Sequence, residues 1–280
     1  METKVSMELT AGKTMEISAG KLAHLANGSC VVRMGDTCVL AAVCSGPARK
    51  GADFFPLQVD YREKFSAAGR FPGGFIKREG RPTDKEILTI RIYKRPIQPL
   101  FPEGFFNKVQ VYVLVLSYDG EHDADTLFML GASAALCLSD LPYQGPVGAV
   151  RVGYIDGQFI ANPTVEEMKK SEIELVYSGK EDQVIMIEGE AKECSEKLLA
   201  DAMYFANDII KRQCAAQREL AEKAGRTKKV PELHLVPAEV MAAIEESCGA
   251  TLEDAAFLPG KEERGKALDV VLARRPQAEI

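Results

Sequence analysis

Hydrophobic and polar residues alternate over short stretches in the first sixty residues, and turn-forming residues separate these stretches. Alternation with a period of two is typical of strands that have one buried face. The run from Cys38 to Cys44 is hydrophobic throughout, which predicts a strand buried on both faces. We therefore predict β-structure up to residue 62, with strands at residues 5–9, 14–18, 29–33 and 37–43.

A stretch rich in glycine and proline at residues 63–82 has no periodicity and predicts a loop. A helix is predicted to follow, because Thr83 and Glu86 have the spacing of a capping box. We expect the helix to end near Arg95, since Pro96 disfavours helical geometry in the residue before it. The residues predicted to supply its buried surface are Ile87, Leu88, Ile90 and Ile92.

The pattern then predicts a strand at residues 108–118, an acidic turn at 119–125 and a helix of small residues at 126–138. Two hairpins are predicted around the turns at Asp156-Gly157 and residues 179–182. After residue 192 the period becomes helical, and Ser195 is predicted to cap a helix that runs to about Ala224. Further helices are predicted at residues 237–248 and 261–272.

These elements predict an α+β fold in two domains, a β/α core at residues 1–192 and an all-helical domain at residues 193–280. The chain has 280 residues, of which 46% are hydrophobic, so it can bury a sizeable core. It has no apolar run of the ~20 residues that span a bilayer and no apolar stretch typical of a signal peptide. A cytoplasmic protein without a membrane partner is predicted.

The formal net charge of −6 argues against a polyanionic partner, but its distribution does not. Residues 61–98, called here the basic segment, hold ten basic and four acidic residues and carry +6, so the remainder carries −12. The seven cysteines include no CxxC pair, which indicates neither a disulfide framework nor a structural zinc site. Neither His24 nor His234 is part of a recognisable nucleophile–base motif in the sequence.

The physics of the basic segment favours a nucleic-acid strand as its partner. Phe75 offers a stacking surface on a flexible loop, and stacking of a base on an aromatic ring is worth about 1–3 kcal/mol. Arg91 and Arg95 lie four apart on the predicted helix, a spacing suited to phosphate contacts. The alternative is a solvated loop with a salt-bridged helix. The candidate nucleic-acid-binding residues on these grounds are Phe75, Lys77, Arg78, Arg81, Arg91 and Arg95.

The chain contains several ordered motifs, namely Phe-Ile-Lys-Arg at 75–78, Arg-Glu-Gly-Arg-Pro at 78–82, Arg-Pro-Ile-Gln-Pro-Leu-Phe-Pro-Glu-Gly-Phe at 95–105, Leu-Gly-Ala-Ser-Ala-Ala-Leu at 130–136, Gly-Pro-Val-Gly-Ala-Val-Arg-Val-Gly-Tyr at 145–154 and Asn-Pro at 162–163. These motifs resemble the first RNase PH-like core of the polynucleotide phosphorylase family, and the likeness extends over essentially the whole chain. The residues after 192 resemble the helical linker of that family. Gln98, Ile76 and Lys77 depart from its pattern, because the family has arginine, a second aromatic residue and arginine there.

The resemblance implies a homotrimeric ring that degrades RNA from its 3′ end by phosphorolysis and releases nucleoside diphosphates. It implies inorganic phosphate and Mg²⁺ as cofactors of the full-length enzyme, with none expected in this segment. The loop matching residues 75–78 would bind single-stranded RNA in the pore. With this loop included, the candidate RNA-binding residues are Phe75, Ile76, Lys77, Arg78, Arg81, Arg91 and Arg95. Other partners would be a second RNase PH-like core, KH-type domains and a larger RNA-degrading complex.

We expect no catalytic residue and no metal ligand in this segment. In the family's active core the turn before the central helix holds phosphate, whereas here the matching residues 121–125 include three carboxylates, which would repel it. Upstream of Glu174 there are glutamates but no aspartate pair matching that of the active core. The acidic turn could itself bind a metal, or it could simply favour the helix N-terminus.

Two other functions remain open from the sequence. The chain could be a self-sufficient phosphorolytic exoribonuclease, or a structural subunit whose basic segment contacts an acidic protein. Release of diphosphates from RNA would indicate the first, and failure to bind single-stranded RNA would indicate the second.

Overall fold

The computed structural model describes residues 2–10, 12–75 and 77–273. The first compact unit, Met1–Leu233, contains a six-stranded sheet. Its strands are β1 (Thr3–Glu8), β2 (Thr14–Ala19), β3 (Gly28–Met34), β4 (Thr37–Gly46), β5 (Leu57–Arg62) and β6 (Lys108–Ser117). The spatial order is β1-β2-β3-β4-β6-β5. Only β5 and β6 pair in parallel among these neighbours, and a parallel pair needs a crossover, which α1 (Asp84–Ile97) supplies.

A four-stranded antiparallel sheet forms the other layer of the first unit. Its strands are β7 (Gly148–Ile155), β8 (Gln158–Ala161), β9 (Ile173–Gly179) and β10 (Val184–Ala191), in the order β10-β9-β7-β8. The short helix α3 (Val165–Met168) lies between β8 and β9 in the chain. Both predicted hairpins are confirmed, with β7 paired to β8 and β9 paired to β10.

The core of this unit is built around α2 (Ala124–Leu138), which packs against β3, β4, β6 and β7. Every residue of α2 except Cys137 is buried. A Cβ atom at Gly131 would lie 3.2 Å from the Cβ of Ala41, so the small side chain permits close approach of the helix to the sheet. The run of small residues that predicted this helix therefore reflects contact on all of its faces.

The unit also includes α4 (Glu196–Ala224), which packs against β1, β2, β7, β9 and α2. The predicted cap is present, since the Ser195 hydroxyl accepts a hydrogen bond from the Leu198 N–H. Contacts divide the chain after Leu233, whereas the sequence pattern placed a boundary after residue 192. The two positions differ because a change of period marks where the helix begins but not where the helix packs.

In the second unit, His234–Ile280, the described residues form α5 (Ala238–Ala256) and α6 (Lys261–Ala273), which pack against each other. The α5 helix is longer than predicted and extends to Ala256. Within the described residues no helix combines the length and the apolar character needed to cross a membrane. All seven cysteines lie in described parts of the chain and are free thiols.

Candidate nucleic-acid interface

The loop that carries most of the candidate RNA-binding residues is closed at its base by one buried carboxylate. Glu86 accepts a hydrogen bond from the Glu63 N–H at 2.8 Å with one oxygen and from the Thr83 N–H at 2.6 Å with the other. The Thr83 hydroxyl accepts from the Glu86 N–H, so the predicted capping box is confirmed. The link to Glu63 also ties the beginning of the loop to its end.

Further hydrogen bonds join the two arms of the loop, residues 62–68 and 79–83, which together are called the stem. Residues Phe65–Ala68 form a 3₁₀ turn inside the stretch that was predicted to be irregular. The Glu79 carboxylate accepts from the Phe65 N–H at 3.1 Å, and the Arg62 guanidinium donates to the Gly80 carbonyl at 3.0 Å. The stem is thus an ordered part of the loop.

Residues 70–78, called the loop tip, present aromatic rings to solvent. The side chains of Phe71 and Phe75 are 94% and 102% exposed. Gly74 and Lys77 both have positive φ angles, 78° and 50°, so the chain turns sharply on either side of Phe75. Ile76, one of the candidate residues, lies outside the described residues. A fully exposed ring on a turned backbone is accessible for stacking with a base.

The candidate cations are exposed as well. Lys77, Arg78, Arg81, Arg91 and Arg95 are all solvent-exposed, and none of them forms an ion pair within the parts of the chain that the structure describes. The last two lie on the outer face of α1, one helical turn apart. Their charges are therefore available to an external anion.

The predicted buried face of α1 is wrong in part. Ile87 and Leu88 are exposed, and Ile90 and Ile92 are half-buried. The helix buries Glu86, Thr89, Tyr93, Pro96 and Ile97 instead, and it continues through Pro96 to Ile97. The Glu86 hydrogen bonds rotate the helix so that this polar residue faces inward, which turns the isoleucine and leucine outward beside Arg91.

The acidic turn before α2 is held by its own hydrogen bonds. One oxygen of Asp119 accepts from the N–H groups of Glu121 and His122, and the other lies 2.7 Å from the His122 ring nitrogen Nδ1. Although burial opposes it, the hydrogen bonds from His122 and Glu121 hold the pKa of Asp119 well below its ordinary value. The carboxylate of Asp119 thus shapes the turn and does not point to an external cation.

Two other carboxylates of this turn face a guanidinium from β7. Arg151 contacts Asp123 and Asp125 at 2.7 Å each, and its Nε lies 3.3 Å from Glu174 at the start of β9. We call these four residues the Arg151 cluster. Burial would lower the pKa of Arg151, but the nearby carboxylates, above all Asp125, raise it above its ordinary value. The guanidinium is therefore a permanent counter-charge in the interior.

The Arg151 cluster does not fit inorganic phosphate or a divalent metal. Its one cation is already shared by three carboxylates, so an anion would meet net negative charge. The same carboxylates are already ion-paired with Arg151, whose positive charge would repel a divalent cation. Among the described residues no group of three or more His, Cys, Asp or Glu side chains is arranged to hold a metal ion.

Sequence reasoning singled out the acidic turn and Glu174 but missed Arg151, which joins them. A signal was present, because Arg151 is a lone charged residue between Val150 and Val152 in a hydrophobic strand. A charge in such a position is rarely buried unless it is paired. The sequence alone could not say which acids would pair with it.

Comparison with known proteins defines the class. A model of the 3′ exoribonuclease family, domain 1, matches residues 11–142, and a model of domain 2 of that family matches residues 145–209. The second match extends into α4, in agreement with the packing of that helix on the core. The chain belongs to the 3′ exoribonuclease family, with an RNase PH-like α+β core.

Within this family the chain is similar to polyribonucleotide nucleotidyltransferases, and it corresponds to their N-terminal core. It is 48% identical to the one from Chlorobaculum parvum over 94% of this chain and 36% of the relative. It is 47% identical to the one from Geotalea uraniireducens over 98% of this chain and 39% of the relative. The chain thus spans little more than a third of the length of these relatives.

Solved structures show the same fold at lower identity. A chain of the Archaeoglobus fulgidus exosome, with RNA bound to the active site, matches with a TM-score of 0.54 and 22% identity. The match covers 75% of this chain and 87% of that chain. An archaeal exosome core matches with a TM-score of 0.51 and 19% identity, over 74% and 85% of the two chains.

Proposed function

We propose that this chain is the RNA-gripping core of a polyribonucleotide nucleotidyltransferase, an enzyme that degrades RNA from the 3′ end by phosphorolysis. The observation that carries the proposal is the loop tip, where an ordered stem carries exposed aromatic rings and exposed cations that have no ion-pair partner among the described residues. Such a surface combines base stacking with phosphate attraction, which are the two contributions that hold single strands without sequence preference.

The phosphorolytic site is proposed to lie in a second RNase PH-like core, outside this chain. The Arg151 cluster supports this part of the proposal, because its carboxylates outnumber its one cation and would repel phosphate at the position where, by the resemblance, the family's active core holds it. Inorganic phosphate and Mg²⁺ are then cofactors of the full-length enzyme, held by residues of that second core.

The remaining parts of the proposal come from the relatives and from the family resemblance. Three copies of the full-length chain would form a ring, with this core lining the RNA path. KH-type domains would add RNA contacts, the residues after 192 would serve as a helical linker, and the enzyme would act in the cytoplasm within a larger RNA-degrading complex. The relatives are long enough for these further domains, since the chain spans only 36% and 39% of two of them.

Binding of fluorescently labelled single-stranded RNA to the 280-residue chain tests the proposal. Lys77→Ala/Arg78→Ala is expected to weaken binding to all sequences alike. It should also reduce the slope of log K against log salt by about 0.7 per lost phosphate contact. The matched control is Arg49→Ala/Lys50→Ala, an exposed Arg–Lys pair outside the basic segment, which should leave both quantities unchanged. If the loop variant and the wild type had equal affinity, Lys77 and Arg78 would not contribute to RNA binding.

The competing functions are tested with the same protein. Incubation with poly(A), phosphate and Mg²⁺ is expected to release no nucleoside diphosphate. Phosphate-dependent release would instead establish a self-sufficient exoribonuclease. Absence of RNA binding at low salt would favour a structural subunit with an acidic protein partner.

A further inference from the structure

Glu79 is an acid in the middle of the basic segment, a few residues after Lys77 and Arg78. Judged by charge alone, it should weaken attraction for a polyanion. The structure gives its carboxylate a definite partner, the N–H of Phe65, at 3.1 Å across the loop. This N–H belongs to the first residue of the 3₁₀ turn, where backbone donors lack partners within the turn.

The residue that would normally cap this turn cannot do so. Lys64 stands at the N-cap position, and its side chain has no acceptor atom and makes no capping hydrogen bond. Glu79 therefore caps the turn from 14 positions further along the chain. The other end of the turn is fixed next to the sheet, since the Ala67 carbonyl accepts at 3.0 Å from the N–H of Tyr118, the residue that follows β6.

The side chains of the tip make no polar contacts of their own that could fix its orientation within the described residues. Between Arg70 and Arg78 all described residues are exposed or half-buried, and none of their side chains makes a hydrogen bond or ion pair within the described residues. The tip is thus held through the two arms of the stem, which Glu79, the Arg62–Gly80 bond and Glu86 connect. An ordered tip loses less conformational entropy when it binds a ligand.

We propose that Glu79 is a positioning residue for RNA binding, which joins the arms of the loop so that the aromatic rings and cations of the tip are presented together. The inference rests on the proposed RNA-binding function and adds to it a role for an acidic residue. The negative charge of Glu79 and its positioning role predict opposite effects of a substitution on RNA affinity. Loss of the negative charge alone should raise affinity for RNA or leave it unchanged, whereas loss of the hydrogen bond should lower it.

Two substitutions separate these effects. Glu79→Gln removes the charge but keeps a carbonyl oxygen that can accept from the Phe65 N–H, and Glu79→Ala removes both. We expect Glu79→Gln to bind single-stranded RNA at least as tightly as the wild type. Glu79→Ala should bind about threefold to tenfold more weakly than Glu79→Gln, as expected for loss of one ordering hydrogen bond. The salt slopes of the two variants should be equal, because their charges are equal.

A second measurement follows the bond itself. Hydrogen exchange of the Phe65 amide should be faster in Glu79→Ala than in Glu79→Gln. The matched control is the pair Glu103→Gln and Glu103→Ala, an exposed acid outside the basic segment, whose two variants should bind RNA equally. Equal RNA affinity of the two Glu79 variants, or equal exchange of the Phe65 amide, would overturn the inference. Failure of the wild type to bind RNA would instead overturn the proposed function, and the exchange measurement would still test the bond.

Discussion

The loop tip and the Arg151 cluster use similar charged side chains to opposite effect. At the tip, cations are exposed and have no ion-pair partners within the described residues. In the cluster, Arg151 lies largely buried, 14% exposed, against three carboxylates. Both regions belong to one unit of the chain, and α1 begins directly after the loop.

The difference shows that burial and pairing decide what a charge does. An exposed, unpaired cation retains its attraction for an external polyanion and responds to salt. A buried, paired cation is already neutralised and instead affects stability, because removal of either partner leaves an uncompensated charge in the interior. Sequence counts of charged residues do not distinguish the two cases.

The largest effect is expected from Arg151→Met, which should reduce the free energy of unfolding by about 3–5 kcal/mol at neutral pH. Asp125, whose side chain is 8% exposed, would then lose its ion-pair partner, and the more exposed Lys85, 3.5 Å from Asp123, would compensate only in part. Chemical denaturation measures the loss, which should shrink as the pH falls, because protonation removes the repulsion. Arg218→Met is the control, since this surface ion pair with Glu181 should be worth at most about 1 kcal/mol. A similar small loss for Arg151→Met would contradict the assignment of a buried structural cluster.

A smaller effect is expected at the tip, and on a different property. Phe75→Ala should weaken binding of single-stranded RNA by about 1–3 kcal/mol, because one stacking surface is lost. The free energy of unfolding should change by less than about 0.5 kcal/mol, since the ring is fully exposed. Phe54→Ala is the control, an exposed ring outside the loop. If Phe54→Ala weakened RNA binding as much as Phe75→Ala, the tip would have no special role.

The smallest effect concerns the acidic turn. The pKa of Asp119 is lower in the folded chain than its ordinary value of 3.8, so its stabilising contribution is present above that pH. This contribution is lost as the pH falls through the lower pKa that Asp119 has in the folded chain. Asp119→Asn should therefore cost about 1–2 kcal/mol at neutral pH, and the difference from the wild type should narrow below about pH 4. The control is Asp36→Asn, at a carboxylate that is 90% exposed, which should change the free energy of unfolding by less than about 0.5 kcal/mol at neutral pH. If the loss of stability in Asp119→Asn did not change with pH, the Asp119 carboxylate would not stabilise the turn in its ionised, hydrogen-bonded form.

Most of the regular elements were predictable because their signals are local. Ser195 marks the beginning of α4, and Asp156-Gly157 marks the hairpin of β7 and β8. The buried face of α1 was not predictable in the same way. Ile87 and Leu88 satisfy a helical pattern, yet Glu86 faces inward because its partners Glu63 and Thr83 lie there.

The candidate site shows the same distinction between local signals and tertiary contacts. The chain by itself determined the concentration of positive charge, the glycine-rich loop and the aromatic ring at Phe75, because these follow from residue type and short spacing. Only the tertiary structure decided that Glu86 and Glu79 close the loop and that Arg151 meets Asp123, Asp125 and Glu174. These contacts join residues from separate elements of the fold. Tertiary packing determines which side chain pairs with a buried charge or with an open backbone donor. Such packing depends on residues that are distant in the chain, so the local sequence does not specify it.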